Sequence, residues 1–98
     1  MTDLVLLAVT RMLSGVCIGG IPPGGGRWVR PVKSFGCPQL GDIRFASGTL
    51  MQPFDIVSLN LLKPQPDPPH VEDVLCDFIR PRPEWRGRLS EKIGRAHV

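Results

Sequence analysis

The sequence predicts an all-β domain, a small barrel or sandwich of four or five short strands. Apolar runs of strand length recur along the 98 residues. Clusters of Gly and Pro separate these runs at intervals of about eight to twelve residues, and helical periodicity is nearly absent. A chain of this length forms one small domain at most.

The first strand is predicted at Leu4 to Val9, where apolar residues follow one another without alternation. A continuous apolar run of this length is typical of a strand inside a sheet, buried on both faces. It is too short to span a bilayer, and no run of about 18 apolar residues occurs elsewhere. Because the run follows an acidic residue, it does not resemble a secretion signal. We therefore expect a cytoplasmic protein without membrane contact.

A β-hairpin is predicted next, with arms at Val16 to Ile21 and Arg27 to Val32. The intervening PPGGG favours an irregular glycine tip. Pro31 has no amide hydrogen, which places the second arm at a sheet edge or a bulge. Cys17 is expected to be a small buried hydrophobe, and the three cysteines are too widely spaced for a disulfide framework or a zinc site.

Two further strands are predicted in the middle of the chain. Asp42 to Phe45 alternates polar and apolar residues, and Asp55 to Leu62 alternates more clearly. The proline-rich segment Lys63 to Pro69 is incompatible with a helix or a central strand, so we expect an extended crossover.

The last third of the chain has a weaker pattern. Val71 to Ile79 fits a short strand or a helical turn, and Glu84 to Lys92 is compatible with a weak helix. Ile93 to Val98 back-translate to the start of a common sequencing adapter followed by a stop codon, so we expect an artefact there. The expected organisation is a barrel at residues 1–62, a proline-rich crossover with the start of a following element at 63–79, and a basic, poorly structured end at 80–98.

Trp28 and Arg30 are the first candidates for a functional site. Residues two apart on a strand share a face, and an aromatic ring beside a guanidinium can stack a base and contact a phosphate. Trp28 can equally belong to the core, with Arg30 capping the edge of the sheet. The formal net charge of +3 is compatible with a nucleic-acid partner but does not require one.

Several elements together resemble a known family. They are Thr10-Arg11 at the end of the first strand, Gly15-x-Cys17-Ile18-x-Gly20-Ile21, Gly26-x-Trp28-Val29-Arg30-Pro31-Val32, Asp55-Ile56-Val57, and Pro69-His70-x-Glu72-Asp73. Over roughly Leu4 to Leu75 the pattern is similar to the prokaryotic dual OB-containing domain family. Thr10 and Val71 depart from it, because the family usually has Ser and Pro there. The resemblance implies an OB-like barrel of about five strands, the first of two barrels in the intact protein.

The resemblance also implies a function in nucleic-acid binding. The leading hypothesis is a non-catalytic module for single-stranded DNA or RNA that needs no cofactor. The residues expected to contact the nucleic acid are Arg11, Arg27, Trp28, Arg30, Lys33 and Ser34. The alternative is a protein-interaction or accessory domain of a larger prokaryotic system. Self-association is expected if the second barrel is absent.

His70, Glu72 and Asp73 form a cluster with catalytic groups. One imidazole and two carboxylates could hold a divalent metal in a hydrolase. No second histidine lies nearby, so we expect a structural role instead, in which the cluster hydrogen-bonds the proline crossover onto the barrel. A nucleophile–base pair of Cys17 and His70 is disfavoured, because burial in a strand makes a thiol inert. We expect neither a metal site nor catalysis.

Overall fold

The computed structural model describes residues 1–34, 37–66 and 71–89. These residues form strands and turns, and none of them lies in a helix that could cross a membrane. The all-β prediction is confirmed. The six strands are β1 (Thr2–Met12), β2 (Gly15–Ile21), β3 (Arg30–Val32), β4 (Asp55–Pro64), β5 (Asp73–Asp77) and β6 (Glu84–Arg88).

Five of these strands form a nearly closed barrel. Strand β1 pairs antiparallel with β2 and β4, β4 pairs antiparallel with β5, and β5 pairs parallel with β3. Gly20 and Val29 exchange two backbone hydrogen bonds of 2.7 and 3.0 Å, which join the residues before β3 back to β2. The cyclic order is therefore β1-β2-β3-β5-β4, and the expected OB-like barrel is confirmed.

The barrel core is apolar and draws on four strands and two connecting segments. Strands β1, β2 and β4 supply alternating Leu, Val and Ile, the β3–β4 connection adds three large side chains, and β5 and the turn after it close one side. The buried members include Leu4, Leu6, Val16, Ile18, Ile43, Phe45, Met51, Val57, Leu59, Cys76 and Phe78. The expectation that β1 is buried on both faces holds only for its first half, because Leu7 is exposed and Ala8 and Val9 are half-buried.

The predicted hairpin after β1 is much shorter than expected. Its PPGGG tip forms a turn, in which Gly25 N donates to Pro22 O at 2.9 Å. Its second arm is a strand only at Arg30–Val32, and that strand pairs with β5 rather than with β2. Pro31 cannot donate a ladder hydrogen bond, so the antiparallel pairing ends at the Gly20–Val29 bridge.

The strand predicted at Asp42 to Phe45 is wrong. These residues form turns with one isolated bridge between Arg44 and Leu50. The alternation nevertheless identified the buried side chains, because Ile43 and Phe45 both enter the core. Turns interrupt the segment on both sides, because Asp42 N donates to Gln39 O and Gly48 N donates to Phe45 O, both at 2.9 Å.

The end of the described chain joins the same sheet. Residues 73–77 are a strand, one of the two structures considered for Val71 to Ile79. The weak helix predicted from Glu84 is wrong, because β6 pairs antiparallel with the first half of β4. The edge of β4 supplies hydrogen-bond partners, and Gly87 has a φ of 137°, which no helix permits. The proposed adapter residues Ile93 to Val98 lie outside the described residues.

Candidate functional site

The outer face of β2 carries small residues, and Trp28 packs on it. Side chains alternate along a strand, so Gly15, Cys17 and Gly19 share this face. A Cβ on Gly19 would come within 2.8 Å of Trp28 Cε2 and 3.0 Å of its Nε1, so only glycine leaves room for the indole. Trp28 is 40% exposed and lies outside the barrel core. The interpretation of Trp28 as a core residue is therefore wrong.

Arg30 is held by Asp73 on the neighbouring parallel strand. Its Nε donates to Asp73 Oδ1 at 2.6 Å and its second guanidinium nitrogen donates to Oδ2 at 3.0 Å. The Asp73 side chain is 5% exposed and that of Arg30 is 25% exposed. The hydrogen bonds that Arg30 donates to Asp73 raise the pKa of Arg30, against the desolvation that lowers it. Arg30 therefore links β3 to β5 by an ion pair. Its contact with a phosphate remains a prediction.

A groove of about 500 Å³ runs beside this ion pair. Three of the predicted contact residues, Arg30, Lys33 and Ser34, line this groove. Lys33 Nζ donates to Asp42 Oδ2 at 3.1 Å. The other lining residues include Met12, Val16, Cys17, Cys37, Pro38 and Gln65. Cys17 is thus a half-exposed groove residue beside Arg30, not the buried hydrophobe expected from its strand.

Arg11 and Arg27 lie apart from this groove. Arg11 is near the end of β1, and Arg27 follows the glycine tip. Both are exposed, and neither has a hydrogen-bond or ion-pair partner among the residues the structure describes. The six predicted residues are therefore not in one place. Three line the groove, Trp28 packs on Gly19, and Arg11 and Arg27 lie elsewhere on the surface.

The predicted cluster around His70 is only partly described, because His70 lies outside the described residues. Glu72 O accepts a 3.0 Å hydrogen bond from Arg30 N, and Asp73 O accepts one of 2.9 Å from Gln65 N. In the described ranges no group of three or more His, Cys, Asp or Glu side chains is placed to hold a metal ion. The buried Asp73 carboxylate is engaged by Arg30.

The family follows from a direct match. The model of the dual OB-containing domain matches residues 2–93. This chain belongs to the dual OB-containing domain family. Neither the curated proteins nor the solved structures contain a match to it. An OB-containing domain is compatible with nucleic-acid binding, because the face formed by strands 2 and 3 of OB barrels binds oligonucleotides.

A second aromatic and cationic cluster was missed in the sequence. Trp85 Nε1 and an Arg88 guanidinium nitrogen both donate to Asp55 Oδ1, at 3.3 and 2.9 Å. Residues three apart on a regular strand face opposite sides of the sheet. A β-bulge at Arg86 and Gly87 shifts the register by one residue, so that Trp85 and Arg88 can both reach Asp55. In the sequence, the glycine at position 87 was the one signal for such a bulge, and its φ in the structure is positive. Trp85 pairs with the core-facing Val57, so this cluster is on the opposite sheet face from Trp28.

Proposed function

We propose that this dual OB-containing domain binds single-stranded nucleic acid, without catalysis, along the outer face of β2. The observation that carries the proposal is the Trp28 indole, which is exposed and seated on Gly19. An indole held in place by its neighbours offers a stacking surface at little cost in conformational entropy. Stacking of one base on an aromatic side chain is worth about 1–3 kcal/mol.

The cations around this face support binding of the backbone. Arg11 and Arg27 are exposed, with no partner among the described residues. The Lys33–Asp42 pair is partly exposed, with side chains 34% and 13% accessible, so phosphate can compete for Lys33. The Ser34 hydroxyl can add a neutral hydrogen bond to a phosphate or sugar. Arg30 keeps its charge at the groove while its orientation is fixed by Asp73.

Because Arg30 and Lys33 are paired with carboxylates, we expect weak, salt-sensitive binding. Two or three phosphate contacts give a slope of about −1.4 to −2.1 in log K against log salt for a single strand. Affinity then falls about 7- to 20-fold between 50 and 200 mM salt. The expected Kd lies between about 1 and 100 μM.

Fluorescence anisotropy of a labelled 15-nucleotide oligothymidylate tests the proposal. Trp28→Ala is expected to weaken binding by about 5- to 150-fold, the equivalent of 1–3 kcal/mol of stacking. Trp85→Ala is the matched control, because it removes the other exposed indole from the opposite face, and binding should change less than about 2-fold. No binding by the parent at 100 μM, or equal losses in both variants, would contradict the proposal.

A further inference from the structure

The turn between β1 and β2 presents a large aliphatic side chain to solvent. Met12 pairs with Gly15, so the turn has only two residues, Leu13 and Ser14. Two-residue hairpin turns favour Asn, Asp or Gly. Leu13 is 111% exposed, and its neighbours Met12 and Leu40 are also exposed. Leu13 is thus unusual in two ways, because it is not a residue type that such turns favour and because a large apolar side chain is fully exposed. Residues that break local sequence rules in this way are most often found at functional sites.

This turn is fixed to the segment that follows β3. Gln39 Nε2 donates to Ser14 O at 2.9 Å, and Val16 N donates to Pro38 O at 2.7 Å. A Cβ on Gly15 would lie 2.5 Å from Pro38 O, so the close approach requires glycine. Leu13 is therefore presented by a turn that is attached to the barrel at two points.

The exposed turn adjoins the groove. Met12 lines both the groove and a smaller cleft of about 190 Å³, which it shares with Leu13, Leu40 and Arg11. We call Met12, Leu13 and Leu40 the apolar tip. Arg11 adds an exposed cation beside it, with no partner among the described residues. An apolar surface and a cation are thus continuous with the face that the proposed function assigns to a single strand.

We propose that the apolar tip packs against the terminal base pair of a duplex, so that the preferred ligand is a junction between single and double strands. This inference rests on the proposed function. Leu and Met are among the side chains that pack against or between bases, and the end of a duplex exposes an unstacked base face. Arg11 is placed to contact the duplex backbone, as positioning cations do, while the single strand continues along the groove towards Trp28.

Binding of four labelled DNAs tests this inference. They are a 15-nucleotide single strand, the same strand extended by a 12-base-pair hairpin at its 5′ end, the same strand extended by that hairpin at its 3′ end, and the blunt hairpin alone. Both junctions are compared because the groove has one direction. The parent should bind one junction about 5-fold or more tighter than the single strand, which corresponds to about 40 Å² of apolar surface removed from water at about 25 cal/mol per Å². Leu13→Asn, which suits a two-residue turn, should remove this preference and change single-strand affinity less than about 2-fold.

The outcomes separate this inference from the one on which it rests. If the parent binds the single strand but prefers neither junction, or if Leu13→Asn keeps the preference, the junction inference is wrong and the proposed function stands. If the parent binds none of the four DNAs, both are wrong. Leu13→Ser provides a second variant, and circular dichroism confirms that each variant is folded before binding is compared.

Discussion

Replacement of Arg30 by Ala would leave the Asp73 carboxylate buried without its partner. Both guanidinium hydrogen bonds, of 2.6 and 3.0 Å, would be lost. Removing one partner of a fully buried ion pair costs about 3–5 kcal/mol, because the remaining charge is poorly solvated. The Arg30 side chain is 25% exposed, so water can reach the vacated position and reduce this cost to about 2–3 kcal/mol.

Urea denaturation at pH 7, followed by circular dichroism, measures this loss directly. A decrease of 2–3 kcal/mol corresponds to a fall in Tm of about 10–20 °C for a domain of this size. Arg30→Lys should lie between the parent and Arg30→Ala, since an ammonium keeps the charge but cannot form the paired geometry. Lys33→Ala is the matched control, because its pair with Asp42 is more exposed and should contribute less than about 1 kcal/mol.

The comparison also separates two roles of Arg30. If Arg30→Ala costs no more stability than Lys33→Ala, the ion pair does not anchor β3 to β5 and the reasoning is refuted. If Arg30→Lys loses stability but keeps the parent's affinity for an oligonucleotide, Arg30 contributes to the fold and supplies only charge to binding.

Three further predictions follow from single contacts. Gly19→Ala should displace the Trp28 indole, which acrylamide quenching will detect, and lower stability by about 1 kcal/mol. Burial raises the pKa of Cys76 to about 12, so thiol reagents at pH 8 should label only the other two cysteines until urea is added. Amides of the following turn lower the pKa of Asp77. Its stabilisation is present above the unfolded pKa and is lost as pH falls through the folded value, so the stability difference between the parent and Asp77→Asn, measured by urea denaturation, should shrink as pH falls below the ordinary pKa of an aspartate.

The strands that the sequence predicts well are those whose apolar pattern reflects local burial. Strand β4 alternates over its first residues and β1 contains a continuous apolar run from Leu4 to Val9, and both strands are present. The parallel pairing of β3 with β5 could not be predicted, because it joins segments more than 40 residues apart. A three-residue strand that contains proline also has almost no periodicity of its own. The ion pair between Arg30 and Asp73 could not be predicted either, because it depends on the same pairing of distant segments.

The site was predictable in its residue types but not in their arrangement. Trp28 and Arg30 were identified as a pair on one face, yet the exposure of Trp28 depends on Gly19 in the neighbouring strand. A glycine inside a strand indicates close approach of another group, so this signal was available. Leu13 differs from the residues that two-residue turns favour, but only the structure shows that its side chain is fully exposed.

The most direct test of the account observes Trp28 itself. In a Trp85→Phe variant Trp28 is the one remaining tryptophan, so its emission reports on the proposed stacking surface alone. Titration with an unlabelled oligothymidylate at 50 mM salt should quench this emission with saturation, and the apparent Kd should weaken about 7- to 20-fold at 200 mM salt. Unchanged Trp28 emission at concentrations where a labelled oligonucleotide is bound would place the nucleic acid elsewhere and contradict the account.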